Sequence, residues 1–387
     1  MILSANPESG KRGRMKRLGP ALALLAFAIG CSDSSNDSTI TVQPGESIQA
    51  AVDAAPPGGR VVVMPGEYVE THGGQAAVLI EKPLQLVANR ENGGVVKILP
   101  GPGNTEGIWV RGTADAFIED VLIEGFTIDG FEENGIWTFY ARNFEIRDNV
   151  VGNSDHVGIY PQLSAQGLVR DNVAYGGLDS AMWVSGSEEV RVIDNVTYAA
   201  PIGLQVNVSK AIEVERITAY GNVTGIALTH PLASGLGDNV DLAFGYRSES
   251  VRFADSDVYD NNLVNPVSSG SVGALPQGTG MLVAGHDRAY VEGNSFTDND
   301  YAGLLIVDYC IATGETDADC APDDNTIVRN TITGNGTNPP PSDFQALASD
   351  VVVVAAGAGN CMAENTYGTT VGGETIAAAT CPPWPGF

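Results

Sequence analysis

An all-β solenoid in which each turn contributes about three short strands, a parallel β-helix, is the fold this sequence predicts. Three observations carry it. First, Gly135-Ile136-Trp137, Gly158-Ile159-Tyr160, Ala181-Met182-Trp183, Gly203-Leu204-Gln205 and Gly225-Ile226-Ala227 recur at spacings of 23, 23, 22 and 22, a period that means one supersecondary unit per repeat, stacked on its neighbours. Second, Asp148-Asn149, Asp171-Asn172 and Asp194-Asn195 recur beside that series, and Gly293-Asn294, Arg329-Asn330 and Glu364-Asn365 carry the same element later. Third, the segments between these marks, such as Phe144-Glu145-Ile146-Arg147 and Val190-Arg191-Val192, alternate like half-buried strands, and no long amphipathic helix follows residue 60. A leucine-rich repeat, the main competitor at this period, would show a leucine frame followed by helix.

Taken in chain order, Lys11, Arg12, Arg14, Lys16 and Arg17 precede an apolar run from Leu18 to Ile29, which reads as an export signal over 1–30, with Met15 an alternative start. The run is well short of the ~20 residues a spanning helix needs. Ala28-Ile29-Gly30-Cys31 and the polar stretch Ser32 to Ser38 resemble a bacterial lipoprotein lipobox with a flexible tether over 31–39. The resemblance implies that Cys31 is the lipidated N-terminus and that the protein sits in the cell envelope, at the outer membrane or cell surface. Acyl burial would then be its only membrane contact. Ala28 stands where that box usually carries leucine, which leaves ordinary cleavage and secretion as the alternative.

The solenoid domain is expected over 40–387. An open solenoid end exposes strand edges and an apolar cross-section, so it needs a cap. Glu46-Ser47 followed by Ile48, Ala51, Val52 and Ala55 supplies helix spacing with a polar start, and Pro56-Pro57-Gly58-Gly59 ends it. Val61-Val62-Val63 then begins a strand. Asparagines at the corners are expected to stack as a ladder whose amides bond neighbouring turns. From Gly225 to Gly280 the chain is longer than one rung needs, which predicts two insertions, near His230 to Tyr246 and Leu263 to Gln277. Cys381 to Phe387 is expected to cover the C-terminal edge.

Composition narrows the function classes. Lys plus Arg number 20 against 47 for Asp plus Glu, a formal net charge of −27. Nucleic-acid binding needs a basic footprint, so it is excluded; removing the signal takes five more basic residues away. A monomer is expected. Apart from Cys31, the cysteines are Cys310, Cys320, Cys361 and Cys381, an even number that suits disulfides in an oxidising compartment. Nearest-neighbour pairing, Cys310 with Cys320 and Cys361 with Cys381, is the simplest of three connectivities. Zinc is the weaker reading, because no CxxC is present.

The run from Ser47-Ile48-Gln49-Ala50-Ala51-Val52-Asp53-Ala54-Ala55 through Val61-Val62-Val63-Met64-Pro65-Gly66-Glu67-Tyr68 resembles the opening of right-handed parallel β-helix repeat proteins of the pectate-lyase-like (pectin-lyase-like) superfamily. The resemblance spans about residues 40–370 and implies right-handed coiling of a single-stranded solenoid. Relatives include polysaccharide lyases, glycoside hydrolases and alginate epimerases, so the resemblance implies an extracellular polysaccharide as partner without fixing an activity. None of their catalytic patterns can be carried over: Gly285-His286-Asp287 has no partner elements, and Ser154-Asp155-His156 only faintly echoes the Asp-Pro-His element of alginate epimerases.

A site must therefore come from the repeat itself. If Ile136, Ile159, Met182 and Leu204 point inward, Trp137, Tyr160, Trp183 and Gln205 point outward, and Trp109 extends the row by one turn across a loop insertion. An aromatic strip of this kind suits sugar rings, or it packs on itself or under a loop. Glu132, Glu133, Asp155, His156 and Asp179 fall in the turns just before these strands and should cluster along one edge. For catalysis the expectation is His156 as base, Tyr160 as acid, and Asp155, Asp179 and Glu133 as orienting groups or Ca²⁺ ligands; a solvated turn histidine is the plainer reading. No cofactor is demanded by the sequence, and Ca²⁺ is the one these carboxylates suit. Arg147, Arg170 and Arg191 form an alternative site for an anionic sugar, or simply ion pairs with Glu145, Asp148 and Asp171. The function expected is binding of a carbohydrate polymer. The alternatives are its modification by a lyase, epimerase or hydrolase, and a structural or adhesive solenoid without activity.

Overall fold

A computed structural model describes residues 39–229, 250–313, 320–342 and 344–386. The export signal, Cys31, most of the 31–39 tether and the insertion from His230 to Tyr246 lie outside the described residues. Among the described residues, strands stack into three parallel sheets of 12, 11 and 11 strands. The first runs from Thr39–Val42 to Cys361–Ala363, the second from Gly66–Val69 to Thr366–Tyr367, and the third from Ala76–Ile80 to Thr370–Val371. Successive members of a sheet come from successive turns of the chain, so the fold is a parallel β-helix.

Register follows from the alternation of apolar and polar residues, because a slip of one residue would turn every core side chain to solvent. In the third sheet Val78, Ile108, Ile136, Ile159, Met182, Leu204, Ile226, Met281, Leu304 and Val351 lie one above another and are buried. The extra length between Trp109 and Trp137 is absorbed by a small excursion closed by Thr113 and Ala116, and the two indoles stay in register.

The corners are held by amide ladders. Asn172 Oδ1 accepts from both the backbone amide and the Nδ2 of Asn149, each at 3.0 Å, while Asn172 Nδ2 donates to Ile146 O at 2.9 Å. Asn195 repeats the arrangement one turn on. The residue before each asparagine turns the chain with a left-handed backbone, Asp148, Asp171, Asp194, Gly293, Arg329 and Glu364 alike. This is why the motif tolerates Asp or Gly there and why the two later substitutes carry some strain. A second asparagine ladder, Asn222, Asn261, Asn299 and Asn335, ends on the carboxylate of Asp350, and a serine ladder links Ser164, Ser187 and Ser209.

The N-terminal cap is the helix Ile48–Ala54, whose N-cap Ser47 accepts from the Ala50 amide at 3.0 Å and which buries Ile48, Ala51 and Val52 on the first turn. Glu70, from the next turn, accepts from the Ile48 amide at 2.6 Å and from the Ser47 hydroxyl at 2.7 Å, placing a negative charge on the helix start. At the other end the expectation needs correction. The last turn is closed by Gly373–Thr375 and by Ile376, whose carbonyl accepts from the Met362 amide. The segment from Cys381 instead lies along the outer face of the first sheet, where Trp384 meets Tyr290 at 5.3 Å, because Cys361 points outward there and holds Cys381. The cysteines pair as nearest neighbours, with Cα separations of 5.5 Å for Cys310–Cys320 and 5.7 Å for Cys361–Cys381. Leu263 to Gln277 is an insertion with the short helix Gly270–Gly273.

Asn172→Ala strands buried donors of Asn149 and an acceptor at Ile146, each worth about 1–3 kcal/mol when left unmet. The thermal unfolding midpoint is expected to fall by several degrees. Arg191→Ala, which removes only a surface ion pair, should stay near the parent. Equal midpoints for all three proteins would contradict the ladder.

Candidate functional site

The outward column of the third sheet reads Trp109, Trp137, Tyr160, Trp183, Gln205 and Ala227, in register as expected. The rings, however, do not present their faces to solvent. Trp109 stacks on Trp137 at 4.5 Å, Trp137 on Tyr160 at 6.4 Å and Tyr160 on Trp183 at 5.0 Å, all within 19° of parallel. Turns lie about 4.8 Å apart, close to the spacing of stacked rings, so equivalent aromatics stack on each other and show their edges outward. The Arg111 guanidinium sits 4.9 Å from the Trp109 ring centre. Trp183 is the last ring, and its far face turns toward the rung of Gln205.

That rung opens a cleft of about 470 Å³ whose near end is lined by Asp179, Trp183, Gln205, Asn207 and Thr229. Three outer segments wall it: residues 271–277 of the insertion, the short helix Tyr309–Thr313 tied by Cys310–Cys320, and Pro340, Pro341, Ser342, Phe344 and Leu347. Gln205 lies along the floor, its Nε2 donating to Thr229 Oγ1 at 3.2 Å and its Oε1 3.2 Å from the Ser180 hydroxyl, whose proton goes to Asp179. Two buried polar atoms on the lining have no hydrogen-bond partner, the Trp183 indole Nε1 and the Asn207 Oδ1. Asn207 is 2% exposed. Both atoms are closed to solvent, as is the equally unpartnered Trp109 Nε1 at the other end of the stack, so what the cleft itself offers is the Trp183 ring and the side chains of Asp179, Gln205 and Thr229.

The titratable residues gather beside the stack. Glu133, His156 and Asp179 occupy equivalent positions on successive turns, with the His156 amide donating to Glu133 O and the Ser180 amide to His156 O. His156 Nδ1 is 3.9 Å from Glu133 Oε2, an ion-pair distance too long for a hydrogen bond. Its ring meets Tyr160 and Trp183 edge-on at 5.7 and 5.9 Å. Asp179 accepts from the Ser180 hydroxyl at 2.9 Å. Burial pushes its carboxyl above the ordinary aspartate range, and the Ser180 hydrogen bond and the nearby His156 pull it part of the way back. Glu106, with Asn134 donating to it at 2.9 and 3.0 Å, is likewise pushed up by burial, eased by those two bonds, and raised further by Glu133.

Several expected roles change. Tyr160 is 4% exposed, its hydroxyl is set against Ser185 and Gln162, and burial pushes its phenol upward. It is a stacking member and not a poised acid. Asp155 is exposed and makes no ion pair with His156, so it does not orient that ring. For Ca²⁺, no three carboxylates converge among the described residues; the one grouping of suitable type, Asp308 with Cys310 and Cys320, has its sulfurs joined as a disulfide. The arginines lie on the first sheet, away from the cleft. Arg147 pairs with Glu124 at 2.8 Å, Arg170 with Glu145 at 2.9 Å and Asp171 at 2.6 Å, and Arg191 with Glu213 at 2.6 Å. Arg170 aligns with Arg147, but Arg191 aligns with Leu168, so the three do not form one column. His230 lies outside the described residues.

A family model described as a right handed beta helix region matches residues 97–233. The fold is the right-handed parallel β-helix. Among similar solved structures, the A-module of mannuronan C-5 epimerase AlgE4 from Azotobacter vinelandii is 18% identical, with 83% of this chain and 84% of that one covered at a TM-score of 0.58. XylC in complex with xylose is 9% identical, covering 85% and 76% at 0.56. A tailspike mutant of E. coli bacteriophage HK620 in complex with a pentasaccharide is 14% identical, covering 83% and 60% at 0.52. At such identities the likeness is one of fold. No curated protein matches the sequence.

On this right-handed β-helix, the cleft was only partly foreseeable. Asn207 follows Gln205 by two residues, the strand alternation that places both outward, and that signal was available. Leu282, Leu305 and Phe344, which complete the cleft, carry no mark in the repeat that distinguishes them from packing residues.

A carboxyl held above its unfolded pKa adds stability only below the unfolded value and loses it as pH rises through the folded one. Asp179→Asn is therefore expected to unfold at the same temperature as the parent or higher at neutral pH, the gap closing below about pH 4. An Asn variant that is weaker at neutral pH and recovers in acid would contradict the burial of that charge.

Proposed function

We propose that the cleft beyond Trp183 binds a carbohydrate polymer outside the cell. One observation carries the reading: the aromatic ring of Trp183 and the polar side chains of Asp179, Gln205, Asn207 and Thr229 gather at one end of a concave site. A sugar fits that set, because its ring lies flat on an indole while each hydroxyl both donates and accepts. The fold neighbours lend support in kind, since they include an epimerase of mannuronan and proteins solved with xylose and with a pentasaccharide. The two disulfides support an oxidising, extracytoplasmic setting. Attachment through Cys31 at the cell surface is part of the proposal and rests on the sequence alone.

A second reading, modification of the bound polymer, is favoured by Asp179. Its carboxyl is raised by burial, it lines the cleft, and His156 stands at the equivalent position one turn away, the two kinds of group that acid and base chemistry uses. In a lyase or epimerase step such a pair would remove a proton from a sugar carbon and return one to the leaving oxygen or the opposite face. A purely structural solenoid is the reading that the mutual stacking of Trp109, Trp137 and Tyr160 would support.

Trp183→Ala is expected to weaken oligosaccharide binding at least tenfold, whereas Trp109→Ala, at the far end of the stack, changes it less than twofold. Calorimetry across a panel of neutral and uronic oligosaccharides measures both. Equal losses would restore the whole strip as the site, and no binding by the parent would favour the structural solenoid. A proton NMR time course with the matching polymers, with and without Ca²⁺, separates binding from catalysis through new unsaturated, reducing-end or epimerised signals.

A further inference from the structure

The cleft changes character along its length. Past Gln205 and Asn207 the floor is Leu282, Ala284, Leu305, Val307 and Val354, a hydrophobic cluster outside the solenoid and separate from its core. The rim is apolar as well. Among the described residues seven large apolar side chains are exposed, and two of them, Ile311 and Phe344, line the cleft at 54% and 59% exposure. Charge narrows the ligand further. No Lys, Arg or His lines the cleft among the described residues, and its one charged side chain is Asp179, so a fatty-acid carboxylate or a lipid phosphate has no cation to meet and an anion to face.

We infer that the cleft takes an acylated saccharide, with the sugar at the Trp183–Asn207 end and an aliphatic chain over Leu282 and Leu305. The inference rests on the carbohydrate reading of the same cleft and adds the class of substituent that the site selects. Aliphatic side chains dominate the far floor, which suits a flexible acyl chain, and the volume lies within the range of small-ligand sites. The floor residues are polar at Gln205 and Asn207 and aliphatic at Leu282, Ala284, Leu305, Val307 and Val354, which orients the amphiphile along it.

Alkyl glucosides from hexyl to nonyl, kept below their micellar concentrations, test it by calorimetry against glucose and against octanoate. Affinity is expected to rise about fourfold per methylene, following the ~0.8 kcal/mol that burial of each contributes, and octanoate should not bind. Phe344→Ala, exposed and so neutral to folding, and Leu305→Gln should flatten that slope. No dependence on chain length overturns the inference, as does octanoate binding as tightly as octyl glucoside. If unsubstituted oligosaccharide still binds through Trp183 in that case, the acyl inference alone falls; if neither binds, both readings fall. The chain leaves the cleft lining at Thr229 into residues 230–249, which include Leu232, Leu236 and Phe244. A variant with 231–248 replaced by a Gly/Ser linker that binds alkyl glucosides when the parent does not would make that segment the occupant, and would also overturn the inference.

Discussion

Every turn of this solenoid sits in register on the one before, and the buried amide ladders enforce that register. Asn149, Asn172 and Asn195 each satisfy the backbone of a neighbouring turn, so a slip would cost several buried hydrogen bonds at once. Alternation of apolar and polar residues then needs only to be consistent within a turn. The capping helix, the Glu70 carboxylate at its start and the closure at Ile376 protect the two ends at which stacking stops.

The site follows from the same constraint. Stacking at one spacing turns any column of like residues into a ladder that satisfies itself: asparagines bond asparagines, and aromatic rings cover aromatic rings. A second such stack, Tyr175, Tyr198, Tyr220 and Tyr259, runs along the second sheet with centroids 5.1, 5.3 and 5.5 Å apart. Binding capacity arises where a column breaks. The change from Trp183 to Gln205 leaves one indole face without a ring stacked on it, and the enlarged loops of later turns wall that break into a cleft.

The fold was legible because its signals repeat: the Gly-Ile-Trp series, the Asp-Asn series and the Ser47 cap each mark a local geometry that recurs. The aromatic column was legible too, but not the orientation of its rings, which depends on the spacing of turns and on the rotamers that stacking selects. Tyr160 illustrates the difference, outward by alternation yet enclosed by Trp137 and Trp183. Arg191 shows another: it shares a strand position with Arg147 and Arg170 in the sequence pattern, but the turn before it places it two residues away in register. The path of the C-terminal segment was set by an outward-facing Cys361, which spacing alone does not reveal.

The four tryptophans allow one direct measurement of where a saccharide binds. Each indole N–H gives its own signal in a nitrogen–proton correlation spectrum, and Trp384, on the outer face of the first sheet, serves as an internal reference. Titration with the best-binding oligosaccharide is predicted to move the Trp183 indole signal farthest, as the sugar packs against its ring, while Trp384 stays fixed. Movement of Trp384 alone, or binding that leaves Trp183 in place, would contradict the assignment of the cleft.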